Sequence, residues 1–143
     1  MKKIYNYLFV GIVAMLCMTL SSCNTDDYDA WLLDGYWTGT VSSVSWRSET
    51  FNYVDFRFVK GSSYGRGTGY ERDYDENGKP VAFSNFAYEV VDGRIKLVYD
   101  NPYVVVWIDS WSVYDGNRKL DAVFNYRGNK VRMYLDKIDG WRY

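Results

Sequence analysis

The sequence contains no histidine, so any chemistry falls to carboxylates, tyrosines, amines and two cysteines, Cys17 and Cys23. Ser-His-Asp and Cys-His catalysis, imidazole general bases and His-ligated zinc are therefore excluded. Glu49, Asp55, Glu71, Glu89, Asp109 and Asp121 would have to supply any glycosidase pair, which needs two acids about 5 to 9.5 Å apart across a cleft. Most of them lie at strand ends or alternate outward, and no nucleophile, base or metal constellation accompanies them. Solvated carboxylates are expected, and catalysis is not. Asp73-Tyr74-Asp75-Glu76-Asn77-Gly78 matches the start of a calcium loop, with Asp73, Asp75 and Asn77 as alternating oxygen donors. The twelfth position is Ser84 rather than a bidentate Glu, and Asn77-Gly78 between alternating runs is also a strong hairpin signal. The turn is the preferred reading, so neither metal nor cofactor is expected. Gly65-Arg66-Gly67-Thr68-Gly69 lacks the Lys-Ser/Thr and the helix of a phosphate loop. It fits a strand with one face nearly bare, against which rings or another backbone pack closely.

Cys23 has a different chemistry. Residues 1–22 have the three parts of an export signal: Lys2 and Lys3, an apolar run from Leu8 to Leu20, and small residues before the cysteine. The run is shorter than the roughly 20 residues of a spanning helix. Leu20-Ser21-Ser22-Cys23 resembles the lipobox of bacterial lipoproteins, whereas Cys17 follows Leu16 and does not fit it. The resemblance implies cleavage before Cys23, covalent lipid on its thiol, and an outer-membrane lipoprotein facing the periplasm or the cell surface. Cys17 leaves with the leader, so no thiol remains for disulfides, metals or nucleophilic attack. Several acyl chains give a nearly permanent anchor, since each buried methylene contributes roughly 0.8 kcal/mol. Residues 23–30, with Asp26, Asp27 and Asp29, read as an acidic tether. Such stretches resemble surface-export signals of Bacteroidota lipoproteins, and a plain solvated linker accounts for this one equally. The 17 Lys and Arg are scattered among 18 Asp and Glu without a basic block, so no nucleic-acid partner is expected.

The elements that must position these side chains are strands. Residues 31–143 form one domain, rich in Val, Tyr, Phe and Trp and poor in helix formers. Asp29 to Leu33 fits a short entry helix stopped by Gly35. Period-two alternation then predicts strands at Trp37 to Ser42, Asn52 to Phe58, Tyr64 to Arg72, Ser84 to Val90 and Ile95 to Tyr99. Further strands follow at Tyr103 to Ser110, Leu120 to Phe124 and Val131 to Leu135. Tyr103 to Ser110, apolar on both faces, is expected to be covered on both. Asp92-Gly93, Asp115-Gly116 and Arg127-Gly128-Asn129 supply turns. About eight antiparallel strands in so short a chain predict an up-and-down meander closed into a barrel, with a two-sheet β-sandwich as the alternative.

Leu33-Asp34-Gly35-Tyr36-Trp37-Thr38-Gly39, the Gly65-x-Gly67 strand, Phe86-x-Tyr88-x-Val90 and Tyr134-x-Asp136-Lys137 resemble small lipocalin-like lipoproteins of Bacteroidota over most of residues 31 to 138. The resemblance implies that Trp37 plugs a barrel base, and it supplies a fold more readily than an activity; the missing catalytic chemistry is what points to binding rather than catalysis. Trp37, Phe56, Phe58, Phe86, Tyr88 and Phe124 are expected inside. Trp46, Tyr103, Trp107, Trp111 and Tyr114 lie near strand ends or off the apolar face, and suit stacking on a small hydrophobic molecule, a glycan or an envelope protein. The expected function is a lipid-anchored binding module. Gly65 to Tyr70 also resembles a segment of lysozyme-inhibitor lipoproteins, which makes an inhibitor or accessory protein of an envelope hydrolase the alternative, ahead of a carboxylate-based hydrolase.

Overall fold

The computed structural model describes residues 25–45, 48–100 and 103–140, so Cys23 and Trp46 lie outside the described residues. Within them the chain forms a helix, α1 (Thr25–Leu33), and nine strands. These are β1 (Gly35–Ser45), β2 (Ser48–Lys60), β3 (Arg66–Tyr74), β4 (Pro80–Val91), β5 (Arg94–Asp100), β6 (Tyr103–Ile108), β7 (Ser110–Tyr114), β8 (Lys119–Tyr126) and β9 (Asn129–Ile138). All nine belong to one sheet in the order β6-β5-β4-β3-β2-β1-β9-β8-β7. Every pairing is antiparallel, and β1 joins β9 with Gly39 opposite Leu135 and Val41 opposite Met133. The result is an all-β, nearly closed barrel rather than two packed sheets.

The ninth strand arises at Asp109. β6 pairs with β5, Ile108 standing opposite Ile95, whereas β7 pairs with β8, Ser110 opposite Val123. Tyr103 to Tyr114 is thus one run bent at a single residue, each half bonding to a different end of the sheet. The bend brings the two ends together with the fewest residues. It also corrects the expectation that Tyr103 to Ser110 is covered on both faces, since Tyr103 is 75% and Val105 36% exposed on the outer wall.

Tight turns set the register. Asp92 and Gly93 both take positive φ, 51° and 71°, the conformation a two-residue hairpin requires. At Asp75 to Lys79 the Asp75 carboxylate accepts the backbone N–H of Asn77 at 2.9 Å and of Lys79 at 2.8 Å. That commits one member of the calcium candidate to holding a turn.

The barrel is filled at the end where α1 lies. Trp37 is completely buried, its Nε1 donates to the Leu33 carbonyl at 2.7 Å, and the Lys137 Nζ stands 5.0 Å from its ring centre. Burial lowers the Lys137 ammonium pKa, the Arg57 charge adding to the fall against the pull of Asp34. Ala30 and Leu33 of α1 enter the same core. Phe58 packs edge-on to Tyr88 at 5.3 Å and tilted against Phe86 at 5.3 Å. Room for those rings comes from β3: a Cβ on Gly69 would sit 2.5 Å from Cζ of Phe86.

The stretch expected as an acidic tether over 23–30 is helical from Thr25. Asp26 accepts the Gly93 N–H at 3.3 Å, and Asp27 accepts the Gly65 N–H at 3.4 Å and pairs with Lys60 at 2.9 Å. The Lys60 hydrogen bond holds the Asp27 carboxyl below its ordinary value. These acids fasten α1 to the β2–β3 and β4–β5 turns, instead of reaching into water.

Candidate functional site

The opposite half of the barrel is not filled. A cavity of about 380 Å³ is walled by Phe56, Leu97, Val104, Val106, Ile108, Phe124 and Met133, and by the polar side chains of Asn52, Glu71, Asp73, Ser84, Tyr99 and Tyr126. An apolar hollow with a few converging polar groups is the usual form of a small-molecule site.

Glu71 and Asp73 reach it by strand parity. Gly65, Gly67 and Gly69 face inward, and in a strand every second residue shares a face. The pairing confirms the direction, because Glu71 stands opposite inward Phe56 on β2 and Asp73 opposite inward Val54. The arginines of β3 take the other parity, and Arg66 bonds Glu89 on the outer wall at 2.6 Å. On the far side Glu71 faces Ser84, whose small side chain leaves the space that Phe86 and Tyr88 fill two and four residues further along.

Tyr99 Oη donates to Glu71, and the carboxyl groups of Glu71 and Asp73 share a hydrogen bond. Burial pushes the Glu71 carboxyl up to about 7; the Tyr99 hydrogen bond opposes that rise, and the Asp73 charge adds to it. Asp73 is raised by burial too, with the Glu71 hydrogen bond opposing. Burial raises Tyr99 well above its ordinary value, and the Glu71 charge adds to this. Two carboxyls side by side in an apolar wall disfavour double ionisation, so the pair holds a shared proton to higher pH than a solvated carboxylate would.

The other carboxylates have partners elsewhere. Asp55, buried on the outward face of β2, accepts from Tyr74 Oη at 2.5 Å. Asp109 lies 3.9 Å from Arg94, and Asp121 accepts from Tyr114 at 3.3 Å. The Glu49 side chain lies outside the described residues. Asp73 and Asp75 of the calcium candidate are separated, one in the cavity and one in its turn. Among the described residues no three His, Cys, Asp or Glu side chains gather as a metal site.

None of the four described aromatics expected at a ligand lines the cavity. Tyr103 stands on the outer wall. Trp107 lies under two cations, Arg94 at 4.8 Å and Lys96 at 5.6 Å from its ring centre. Trp111 packs against the core and donates Nε1 to the Gly93 carbonyl at 2.8 Å. Tyr114 is half-exposed over Asp121. The expectation that most carboxylates alternate outward passed over Glu71 and Asp73. The signal that finds them is the glycine parity of β3, carried two steps past Gly69.

No protein-family profile matches this chain, and no curated protein matches it.

Proposed function

We propose that this protein is a lipid-anchored binding module of the cell envelope, lipocalin-like in manner, which holds a small amphipathic molecule in its barrel without catalysis. The cavity carries the reading: one half of the interior is packed and the other is open, walled by apolar side chains around one polar patch. Glu71 and Asp73 stand side by side on one strand, rather than facing each other across a cleft as glycoside hydrolysis requires. That favours binding over hydrolysis.

Lipid on Cys23 gives the module an orientation. Cys23 lies two residues before α1, a reach of at most ~7 Å, and α1 is fastened to the closed end. The closed end then lies against the membrane, and the cavity mouth faces away into the aqueous compartment. Radiolabelled palmitate tests the anchor: incorporation is expected in the wild type and lost in Cys23→Ala.

For the cavity, the probe is neutral 2-phenylethanol, read by ligand-observed NMR on full-length protein in phosphatidylcholine nanodiscs with empty discs subtracted. Saturable binding is expected. Ser84→Trp on β4 and Val104→Trp on β6, which fill the cavity from two of its lining strands, weaken it by at least about tenfold, whereas outer-wall Tyr103→Ala leaves it unchanged. Absence of saturable binding, or equal binding in both filled variants, would overturn the reading.

A further inference from the structure

The cavity wall is unbalanced in charge. It carries two carboxyls and, among its described lining residues, no Lys or Arg. Several acids on the outer wall and at the closed end have cationic or N–H partners, as in Glu89 with Arg66, Asp27 with Lys60 and Asp26 with the Gly93 amide. Rings line the same cavity instead: Phe56 stands directly opposite Glu71 on β2, Tyr99 is bonded to Glu71, and β8 contributes Phe124 and Tyr126 to the lining. Aromatic faces carry negative potential, and together with carboxylates they attract an ammonium head that has shed its water. A neutral ligand gains nothing from that arrangement. An anion is repelled by it.

We propose that the cavity selects a protonated amine or quaternary ammonium bearing an apolar body, its head held by Glu71 and Asp73 among the rings and its body lying against Leu97, Val104 and Met133. This rests on the binding reading above and names the ligand class for the same cavity. The glycines of β3 place the two acids: inward positions before Glu71 carry no side chain, so the head cannot be drawn deeper into the packed half.

Proton linkage follows. Asp73 on its own strand and Tyr99 on β5 act on Glu71 directly, and Tyr126 on β8 lines the same cavity beside Tyr99. The lining residues of β2 and β4, Asn52, Phe56 and Ser84, do not titrate. A cation binds best when the pair has lost its shared proton, so affinity for an amine falls as pH drops through about 7, the Glu71 value. Affinity for a neutral analogue stays level.

The test compares phenethylamine, 2-phenylethanol and 3-phenylpropionate on the full-length protein in phosphatidylcholine nanodiscs. The amine is expected to bind at least about tenfold tighter than the alcohol, with the carboxylate weakest. In Glu71→Gln/Asp73→Asn the amine preference is lost, the amine falling to the level of the alcohol measured on the same variant. Glu71→Gln alone gives a partial loss of the same sign, and it serves if the double variant does not fold. Equal affinities for amine and alcohol in the wild type, or an amine preference that survives in the variants, overturn the cation inference; alcohol binding abolished by Ser84→Trp then leaves the cavity reading standing. Failure of all three probes to bind overturns both.

Discussion

The two halves of the barrel share one wall and differ in what the inward positions carry. Toward α1, Gly67 and Gly69 of β3 stand opposite Tyr88 and Phe86 of β4, and the rings of Phe58, Phe86, Tyr88 and Trp37 close the interior. Toward the mouth, the same strand carries Glu71 and Asp73 opposite Ser84 and Ala82, and a cavity remains. A step of two residues along β3 changes bare backbone under large rings into acids facing small side chains. The wall sets the shape, and this exchange of volume and charge along one strand separates the packed half from the open, acid-lined cavity.

The largest effect is expected where the packed half loses its plug. Trp37→Ala removes a fully buried indole and its hydrogen bond to Leu33, at a cost of about 3–5 kcal/mol by denaturant unfolding. Next, Gly69→Ala forces a methyl against the Phe86 ring and the Arg57 carbonyl, which costs about 1–3 kcal/mol. Should Gly69→Ala prove neutral, the claim that bare β3 makes room for the rings fails.

The open half responds with the opposite sign. Glu71 titrates at about 7 in the fold, above its ordinary 4.5, so its contribution is fully present below the unfolded value and is lost as pH rises through the folded one. Glu71→Gln removes that loss. The variant is therefore more stable than the wild type by ~1–3 kcal/mol at about pH 8, and the gain disappears toward about pH 4. A variant less stable at both pH values would make Glu71 a structural residue rather than a binding one.

Smaller effects bound the comparison from outside. Trp111→Phe loses the hydrogen bond to Gly93, about 1 kcal/mol, with unchanged ligand binding. Tyr103→Ala, on the exposed outer wall, changes stability by no more than about 0.5 kcal/mol.

Much of the wall was legible in the sequence, because period-two alternation is a direct record of which face is buried. The inward set of Trp37, Phe56, Phe58, Phe86 and Tyr88 and the Asp92-Gly93 turn follow from that record. Asp109 left no comparable mark: Tyr103 to Tyr114 is strand-like throughout, and only the need to bond both sheet ends bends it. The helix from Thr25 was hidden for another reason. Asp26 and Asp27 look like solvated acids until the turns holding Gly65 and Gly93 are brought beside them. The site was written in plain parity, yet Glu71 and Asp73 continue a face that looks empty, and acids suggest solvent. The aromatics that drew attention instead, Trp107 and Tyr103, carry the outward parity of β6.

The most direct test is methyl NMR of the full-length protein in nanodiscs, titrated with phenethylamine. The account predicts saturable shifts in the methyls of Leu97, Val104, Val106 and Met133, with those of Leu33, Ile95 and Leu120 in the packed half unmoved. Shifts centred on the packed half or the outer wall, or none at the four cavity methyls, would contradict it.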